Sequence, residues 1–257
     1  MDPVAAATQL VTQARAVCVL TGAGISTDSG IPDFRGPNGL WTRDPEAERS
    51  ATIANYVAET AVRVRAWQRF SDGVWSDREP NNGHRALVNL ERQGRLHTLI
   101  TQNVDGLHER AGTSPEKLVE IHGTITKAVC LGCDRRWPIA DIVARVRQGD
   151  VDPHCEHCDG ILKSATISFG QNLVARDLER AERAAQECDV MLAVGTSLTV
   201  TPIAYVVPIA SRAGARVVIV NAQPTPYDAL AEVCVREGIS SALPVICAPL
   251  SDAGRRG

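Results

Sequence analysis

Four of the eight cysteines fall into two pairs, Cys130-Leu-Gly-Cys133 and Cys155-Glu-His-Cys158, with 21 residues between the pairs. Each pair can turn two thiolates inward on a tight knuckle, and two knuckles complete the closed tetrahedral sulfur shell that zinc prefers. Such a shell leaves no position for water, so the ion expected here is structural. A redox dithiol needs a thiolate activated near a helix start, and neither pair has that context. His154 and His157 adjoin Cys155 and Cys158, where simultaneous ligation is awkward, and they receive no metal role. Cys18, Cys188, Cys234 and Cys247 stand singly in apolar surroundings.

A second chemistry is written in the glycine-rich stretch from Thr21 to Gly36, T-G-A-G-I-S-T-D-S-G-I-P-D-F-R-G. Gly22 and Gly24, flanking Ala23, permit a tight turn and close approach of the backbone to a pyrophosphate. The fingerprint of hydride-transferring enzymes continues to a third glycine or alanine, where this chain has Thr27, and to an acidic residue about 20 positions on at a strand end. That region holds a P-D-F-R-G-P-N-G loop instead, with Asp44 and Glu46 in non-strand sequence, which argues against hydride transfer. Asp33, Phe34 and Arg35 bring an acid, an aromatic wall and a fixed cation together. Arginine suits phosphate oxygens, and an aromatic face can shield a reactive sugar carbon from water. A surface loop with one buried phenylalanine accounts for the same residues.

Polar groups also gather where apolar runs end. Gln102, Asn103 and Asp105 follow the run Leu96 to Thr101, and ligands of open parallel sheets bind beyond the carboxyl ends of strands. A capped turn is the bland alternative. His122, in V-E-I-H-G, follows a short apolar run and precedes a glycine, which could aim its imidazole into the same cleft as a general base. His84 and His108 read as helix-start or packing residues, and His97 as solvent-facing. Gly195, Thr196 and Ser197 offer backbone and hydroxyl donors to phosphate or ribose, and Asn221 closes the next strand where a ribose hydroxyl could bind. Ile167 to Asn172, I-S-F-G-Q-N, is a candidate edge for pairing an extended peptide, although core packing explains Phe169 equally well.

The elements that must position these groups alternate. Asp2-Pro3 caps a helix expected to end near Arg15, and short buried strands are expected at Ala16 to Leu20, Leu96 to Thr101, Ala165 to Ser168, Val190 to Val194 and Arg216 to Val220. Helical patterns lie between them at Gly83 to Gln93, Ala175 to Gln186 and Pro202 to Ala213. This is the rhythm of an α/β fold, a Rossmann-like parallel sheet with helices on both faces. Gly36 to Asn82 reads as a helical insertion. Thr126 to Ile161 holds the cysteine pairs and too few apolar residues for a core of its own.

Composition narrows the classes. At 257 residues the chain can hold one large core and a smaller module. A net charge of -3 gives no basic footprint for nucleic acid. The uncharged stretch after Asp189 is broken by Gly195, Thr199, Thr201, Pro202 and Pro208, so no membrane span is expected. The start Met1-Asp2-Pro3-Val4 lacks the features of a secretory signal, and a cytoplasmic location is expected.

The ordered set G-A-G-I-S, P-D-F-R-G, T-Q-N-V-D, I-H-G, two C-x-x-C pairs, S-F-G, G-T-S-L-x-V-x-P and V-N resembles the sirtuin family over about Ala16 to Pro244. The resemblance implies a Rossmann-like NAD-binding domain of residues 1–36, 84–125 and 162–257. It also implies a small domain made of a helical insertion, 37–83, and a zinc ribbon, 126–161. The activity it implies is NAD-dependent protein-lysine deacylation. In the family mechanism the acyl oxygen attacks the ribose carbon bearing nicotinamide to give an O-alkylamidate, and His122 deprotonates a ribose hydroxyl, yielding free lysine and O-acyl-ADP-ribose. Asn103 would position ribose and water, and Asp105 with Ile31 would line the nicotinamide pocket. Gly22, Ala23, Gly24, Thr27, Asp33, Phe34, Arg35 and Gln102 would hold the reactive half of NAD. Gly195, Thr196, Ser197, Asn221 and Ile239 would hold its phosphates and adenosine. Phe34, Val104, Ile167, Phe169, Gly170 and Val200 would meet the acyl-lysine protein or peptide.

Two departures bear on substrate. Many relatives have F-G-E where this chain has Phe169-Gly170-Gln171. The desuccinylating branch carries a Tyr-x-x-Arg pair, and counting back without gaps from Glu79-Pro80-Asn81 puts Gln68 and Ser71 there, with Arg69 nearby. Neutral acyl groups are therefore expected. Mono-ADP-ribosyl transfer and non-catalytic sensing of NAD or ADP-ribose are the competing functions, and retention of His122 beside Asn103 and Asp105 argues against the sensor.

Overall fold

The computed structural model describes residues 2–33, 36, 39–43, 51–74 and 78–248. In chain order the elements are α1 (Pro3–Gln13), β1 (Val17–Thr21), a 3-10 turn (Ala23–Ser29), α2 (Leu40–Arg43), α3 (Ile53–Ala58), α4 (Thr60–Ser71), α5 (Asn82–Arg92), β2 (Leu96–Thr101) and α6 (Leu107–Ala111). They continue with β3 (Leu118–Glu120), β4 (Gly123–Cys130), β5 (Arg136–Pro138), α7 (Ile139–Arg147), β6 (Leu162–Thr166), α8 (Ala175–Glu187) and β7 (Val190–Val194). A 3-10 turn (Ile203–Tyr205) leads into α9 (Val206–Arg212), followed by β8 (Arg216–Val220), β9 (Val233–Val235) and α10 (Ile239–Ile246).

Six strands form a parallel sheet in the order β3-β2-β1-β7-β8-β9. Its inner strands are largely apolar and mostly buried because helices cover both faces. Val17, Val19, Leu192, Val194, Val218 and Val220 point to one face, packed by Leu10 of α1, Leu87 and Leu90 of α5 and Leu243 of α10. Cys18, Leu20, Met191, Ala193, Val217 and Ile219 point to the other, against Ala181 and Ala185 of α8 and Val207 and Ala210 of α9. Asp2 caps α1 by accepting the Ala5 N–H at 3.1 Å, as its place before Pro3 predicts.

The strands expected at Leu96 to Thr101, Val190 to Val194 and Arg216 to Val220 are found over those residues. The run Ala165 to Ser168 is not a member of the parallel sheet. The strand there is β6, one residue short of Ile167, and it runs antiparallel to β4 in a three-stranded sheet ordered β5-β4-β6. Its Leu162 packs into a separate cluster with Trp67, Ala128, Ile142 and Val146, so its apolar residues serve the cysteine-bearing module. The helix expected over Pro202 to Ala213 begins as a 3-10 turn and becomes α-helical only at Val206. Within Gly36 to Asn82, α3 and α4 bear out the helical expectation over their residues. No helix among the described residues is long and apolar enough to cross a membrane.

Candidate active site

The carboxyl ends of the parallel strands are laced together by main-chain bonds. Ile121 N–H donates to Thr101 O, Gln102 N–H to Thr21 O, Gly22 N–H to Val194 O, Gly195 N–H to Val220 O and Asn221 N–H to Val235 O, at 2.9–3.1 Å. Each strand thus hands its next residue to its neighbour, and four of those residues, Gly22, Gln102, Gly195 and Asn221, form the floor of one cavity of about 1440 Å³. Since the Gly195 N–H is committed to Val220, donation to an anion from this loop falls to Thr196 and Ser197. Gly22 and Gly24 press against Gly195: a Cβ on Gly22 would meet Gly195 O at 2.8 Å, and one on Gly24 would meet Gly195 Cα at 2.8 Å. Gly195 itself has φ +60°, a conformation that favours glycine.

Above this floor the polar side chains hold one another. Asn103, buried, donates through Nδ2 to Gly22 O at 3.1 Å and to Ser26 Oγ at 3.2 Å, which leaves Oδ1 to offer to a ligand. Ser26 Oγ in turn donates to Asp105 at 2.7 Å, and the Leu107 N–H donates to the same carboxylate at 2.9 Å. Burial pushes the Asp105 carboxyl up, opposed by those two hydrogen bonds. Gln102 Nε2 donates to Thr196 Oγ1 at 2.9 Å, tying the β2 loop to the β7 loop.

His122 lies just beyond β3, and its Nδ1 is 3.1 Å from Gln102 O. A carbonyl can only accept, so Nδ1 carries the proton and Nε2 is left with its lone pair. Burial lowers the His122 pKa from its ordinary value, with the Gln102 carbonyl acting the other way. The ring is therefore neutral at pH 7 and able to take a proton at Nε2. Two residues earlier, at the end of β3, burial pushes Glu120 up to about 7.

All the described residues among the expected cofactor and substrate positions line this cavity, from Gly22, Ala23, Gly24, Thr27, Ile31 and Asp33 through Val104 and Ile167 to Val200, Asn221 and Ile239. Phe34 and Arg35 lie outside the described residues, as do Asp44 and Glu46. Gln68 and Arg69 of α4 also line the cavity, and Gln68 is held by Asp72 at 2.9 Å. His84 and His108 are packing residues: their rings pack at a tilt of 56° with centroids 4.8 Å apart, and His108 Nε2 meets Thr21 Oγ1 at 3.0 Å. Half-exposed His97 faces Glu187 at 3.4 Å.

The segment Ile167 to Asn172 is more occupied than an open edge. Phe169 N–H donates to Ala51 O at 3.0 Å and Phe169 O accepts from Ile53 N–H at 2.9 Å, so the chain's own residues fill that pairing position. Gln171 Oε1 accepts the Ser168 N–H at 2.8 Å, a contact that its amide makes with no carboxylate charge. Phe169 is 41% exposed and, among the described residues, joins no core cluster, which argues against core packing as its role. Sequence reasoning missed Ser26, the hub between Asn103 and Asp105, and the cavity walls Ala51, Tyr56, Val62 and Lys163. Lys163 is buried and its pKa falls to about 8, yet nothing in its local sequence marks it.

The four paired cysteines converge. Their sulfurs all lie within 4.8 Å of one another, with Cys130 and Cys158 at 3.5 Å and Cys133 and Cys155 at 3.8 Å. Four sulfurs at about 2.3 Å from a tetrahedral zinc would stand about 3.8 Å apart, so the set fits that ion. The two knuckles have one backbone plan. Cys130 N–H donates to Arg135 O and accepts at its carbonyl from Asp134; Cys155 does the same with Gly160 and Asp159. Asp134 and Asp159, each following the second cysteine of its pair, take φ of 57° and 58°. His154 and His157 are outside the sulfur set.

A sequence model described as "Sir2 family" matches residues 22–202. The NAD-dependent protein deacetylase 2 of Streptomyces coelicolor is 50% identical over 230 residues, covering 90% of this chain and 95% of that protein. The NAD-dependent protein deacylase 2 of Pyrobaculum aerophilum is 39% identical over 235 residues, 91% of each chain. Among solved structures, a Sir2 protein with a deacetylated p53 peptide and 3'-O-acetyl ADP-ribose superposes with a TM-score of 0.86 at 30% identity, covering 96% of this chain and 97% of that one. A Sir2 protein bound to acetylated peptide gives 0.80 at 29% identity, covering 91% and 93%. A match spanning well over half the chain, together with relatives of this identity and coverage, places the protein in the Sir2 family.

Proposed function

We propose that the protein is an NAD-dependent protein-lysine deacylase acting on neutral acyl groups, yielding nicotinamide, free lysine and O-acyl-ADP-ribose. The observation that carries this is His122, neutral and with Nε2 unprotonated, opening into the same cavity as Asn103, Asp105 and the laced strand ends. NAD, when bound, supplies a ribose carbon activated by its nicotinamide leaving group and the hydroxyl that carries the acyl group away. The residues present fit it: the glycine interlock leaves the backbone bare where a pyrophosphate must come close, and Gln102, Thr196, Ser197 and Asn221 stand at adjacent strand ends.

In this reading His122 Nε2 accepts the ribose hydroxyl proton while Nδ1 stays on Gln102 O, which keeps the ring from rotating. Asn103 Oδ1 orients the ribose and a water molecule. Asp105 and Ile31 border the nicotinamide. Gly22, Ala23, Gly24, Thr27 and Asp33 hold the reactive half, with Gly195, Thr196, Ser197, Asn221 and Ile239 toward phosphates and adenosine. Val104, Ile167, Phe169, Gly170 and Val200 receive the acyl-lysine, and Gln68 and Ser71, standing where the desuccinylating branch has its tyrosine and arginine, favour uncharged acyl groups. Cys130, Cys133, Cys155 and Cys158 hold a structural zinc, which stabilises a module too small for a large core of its own.

Two domains are part of the proposal: residues 1–36, 84–125 and 162–257 for NAD, and 37–83 with 126–161 as the small domain. The two separate sheets support this division, though the smaller sheet extends from Gly123 to Thr166. A cytoplasmic location follows from the need to keep four zinc thiols reduced. Incubation with NAD and an acetyl-lysine peptide, followed by mass spectrometry of nicotinamide, O-acetyl-ADP-ribose, peptide and labelled protein, tests the activity. Nicotinamide release without deacylated peptide refutes it and points to ADP-ribosyl transfer.

A further inference from the structure

Arg63, on α4, is 6% exposed and uses all five of its N–H groups. Nε and Nη2 grip the Asp152 carboxylate as a fork at 2.9 and 2.8 Å, Nη2 also reaches Thr60 Oγ1 at 2.8 Å, and Nη1 donates to the carbonyls of Tyr56 and Val57 at 3.2 and 3.0 Å. Those two carbonyls belong to the last turn of α3, which has no intrahelical partners to offer them. Asp152 belongs to the segment that leads into the second cysteine knuckle. One guanidinium therefore joins three segments: α4, the end of α3, and the zinc module.

The other end of α3 reaches the candidate peptide edge. Ile53 N–H, at its first residue, donates to Phe169 O, and Phe169 N–H returns a bond to Ala51 O. The Ile53 Cγ2 lies 3.3 Å from where a Gly170 Cβ would stand. Between these ends α3 is a strut about 9 Å long at 1.5 Å per residue, and its Tyr56 hydroxyl donates to Leu162 O at 2.9 Å. Among the described residues nothing comparable connects Arg63 to the NAD floor, whose residues are fixed by the main-chain lacing of the parallel sheet.

We propose that Arg63 and Asp152 are a positioning pair for the acyl-peptide substrate, acting through α3 on the Phe169-Gly170 edge while leaving NAD binding alone. This rests on the deacylase reading. A shift of about 1 Å in a substrate-positioning group can cost on the order of 100-fold, and the fork is removed by Arg63→Gln or weakened by Arg63→Lys and Asp152→Asn. Steady-state kinetics, zinc content and thermal unfolding would be measured on all three, with Ile142→Ala, a core change in the zinc module, as a control for lost stability. Expected are a peptide KM raised at least 10-fold in Arg63→Gln, a smaller rise in Arg63→Lys and Asp152→Asn, an NAD KM within two-fold of wild type, unchanged zinc, and no peptide KM effect in Ile142→Ala.

Fluorescence anisotropy with a labelled acyl-lysine peptide reads the same comparison without turnover. Wild-type protein that binds the peptide but does not deacylate it overturns the deacylase reading alone. Arg63→Lys, the variant chosen to remain folded, overturns the pair alone if its peptide affinity equals wild type, or if NAD and peptide KM rise together.

Discussion

Adding one methyl group at Gly24 tests whether the nucleotide floor depends on backbone contact between two loops. A Cβ there would stand 2.8 Å from Gly195 Cα, 2.9 Å from its O and 3.1 Å from its C, all main-chain atoms, whereas ordinary contact begins at 3.4 Å. The loops must part by about 0.6 Å, and the hydrogen bond from Gly24 N–H to Gly195 O, now 2.8 Å, stretches by a similar amount. Overpacking of this kind costs about 1–3 kcal/mol, which the two-faced core can absorb. The nucleotide site is less tolerant, since a 1 Å misplacement can cost about 100-fold. Gly24→Ala should therefore raise the NAD KM on the order of 10-fold or more in a protein that still unfolds cooperatively. Gly94→Ala is the comparison: its φ is +72° but nothing lies within 4 Å of the new methyl. It should lose about 1–2 kcal/mol from the left-handed conformation, lowering Tm by a few degrees with NAD KM unchanged. An NAD KM in Gly24→Ala within two-fold of wild type would refute the role given to the interlock.

Three further outcomes follow from the site. His122→Ala should keep fold and zinc but lose turnover, and wild-type kcat/KM should fall only below the ordinary histidine value near pH 6.5, because burial favours the neutral ring; an active variant or an acid limb well above pH 7 contradicts this. Metal analysis of protein purified without chelator should find one zinc per chain, and stripping it should melt the module built on β4, β5 and β6; less than about half an equivalent removes the zinc assignment. His84, buried with its pKa lowered to about 4 by desolvation, binds its proton more weakly folded than unfolded. Its contribution is complete above about pH 6.5 and fades as pH falls toward 4, by about 3 kcal/mol in all. His84→Gln should flatten urea-derived stability across that window, and an unchanged slope would count against it.

What the sequence made legible was what physics makes local. Strands buried on both faces read as largely apolar runs, so Leu96–Thr101, Val190–Val194 and Arg216–Val220 could be bounded by eye. Cysteine spacing identified the sulfur cluster because each knuckle closes within six residues. The run at Ala165 misled because apolar content does not say which sheet a strand joins, and that is set by pairing with Gly123–Cys130 far away in sequence. Three-residue edge strands such as Val233–Val235 are too short to show a pattern. Arg63 and Asp152 stand 89 positions apart, and Phe169 is paired by a residue more than 110 positions earlier, so neither contact leaves a local trace. The placement of His122 beside Gln102 likewise needed the fold, although its motif pointed to the same cleft.

The lacing of strand ends has a consequence for exchange with solvent. Loops at ligand sites usually open on their own, so their amide protons are replaced by deuterium long before those of the core. Here the amides of Gly22, Gln102, Gly195 and Asn221 are each held by the terminal carbonyl or an adjacent carbonyl of a neighbouring buried strand. They should exchange with the slow kinetics of Leu20 or Leu192, at rates set by opening of the whole sheet, even with no nucleotide present. The floor that meets NAD is thus as durable as the core, and mobility is left to the walls.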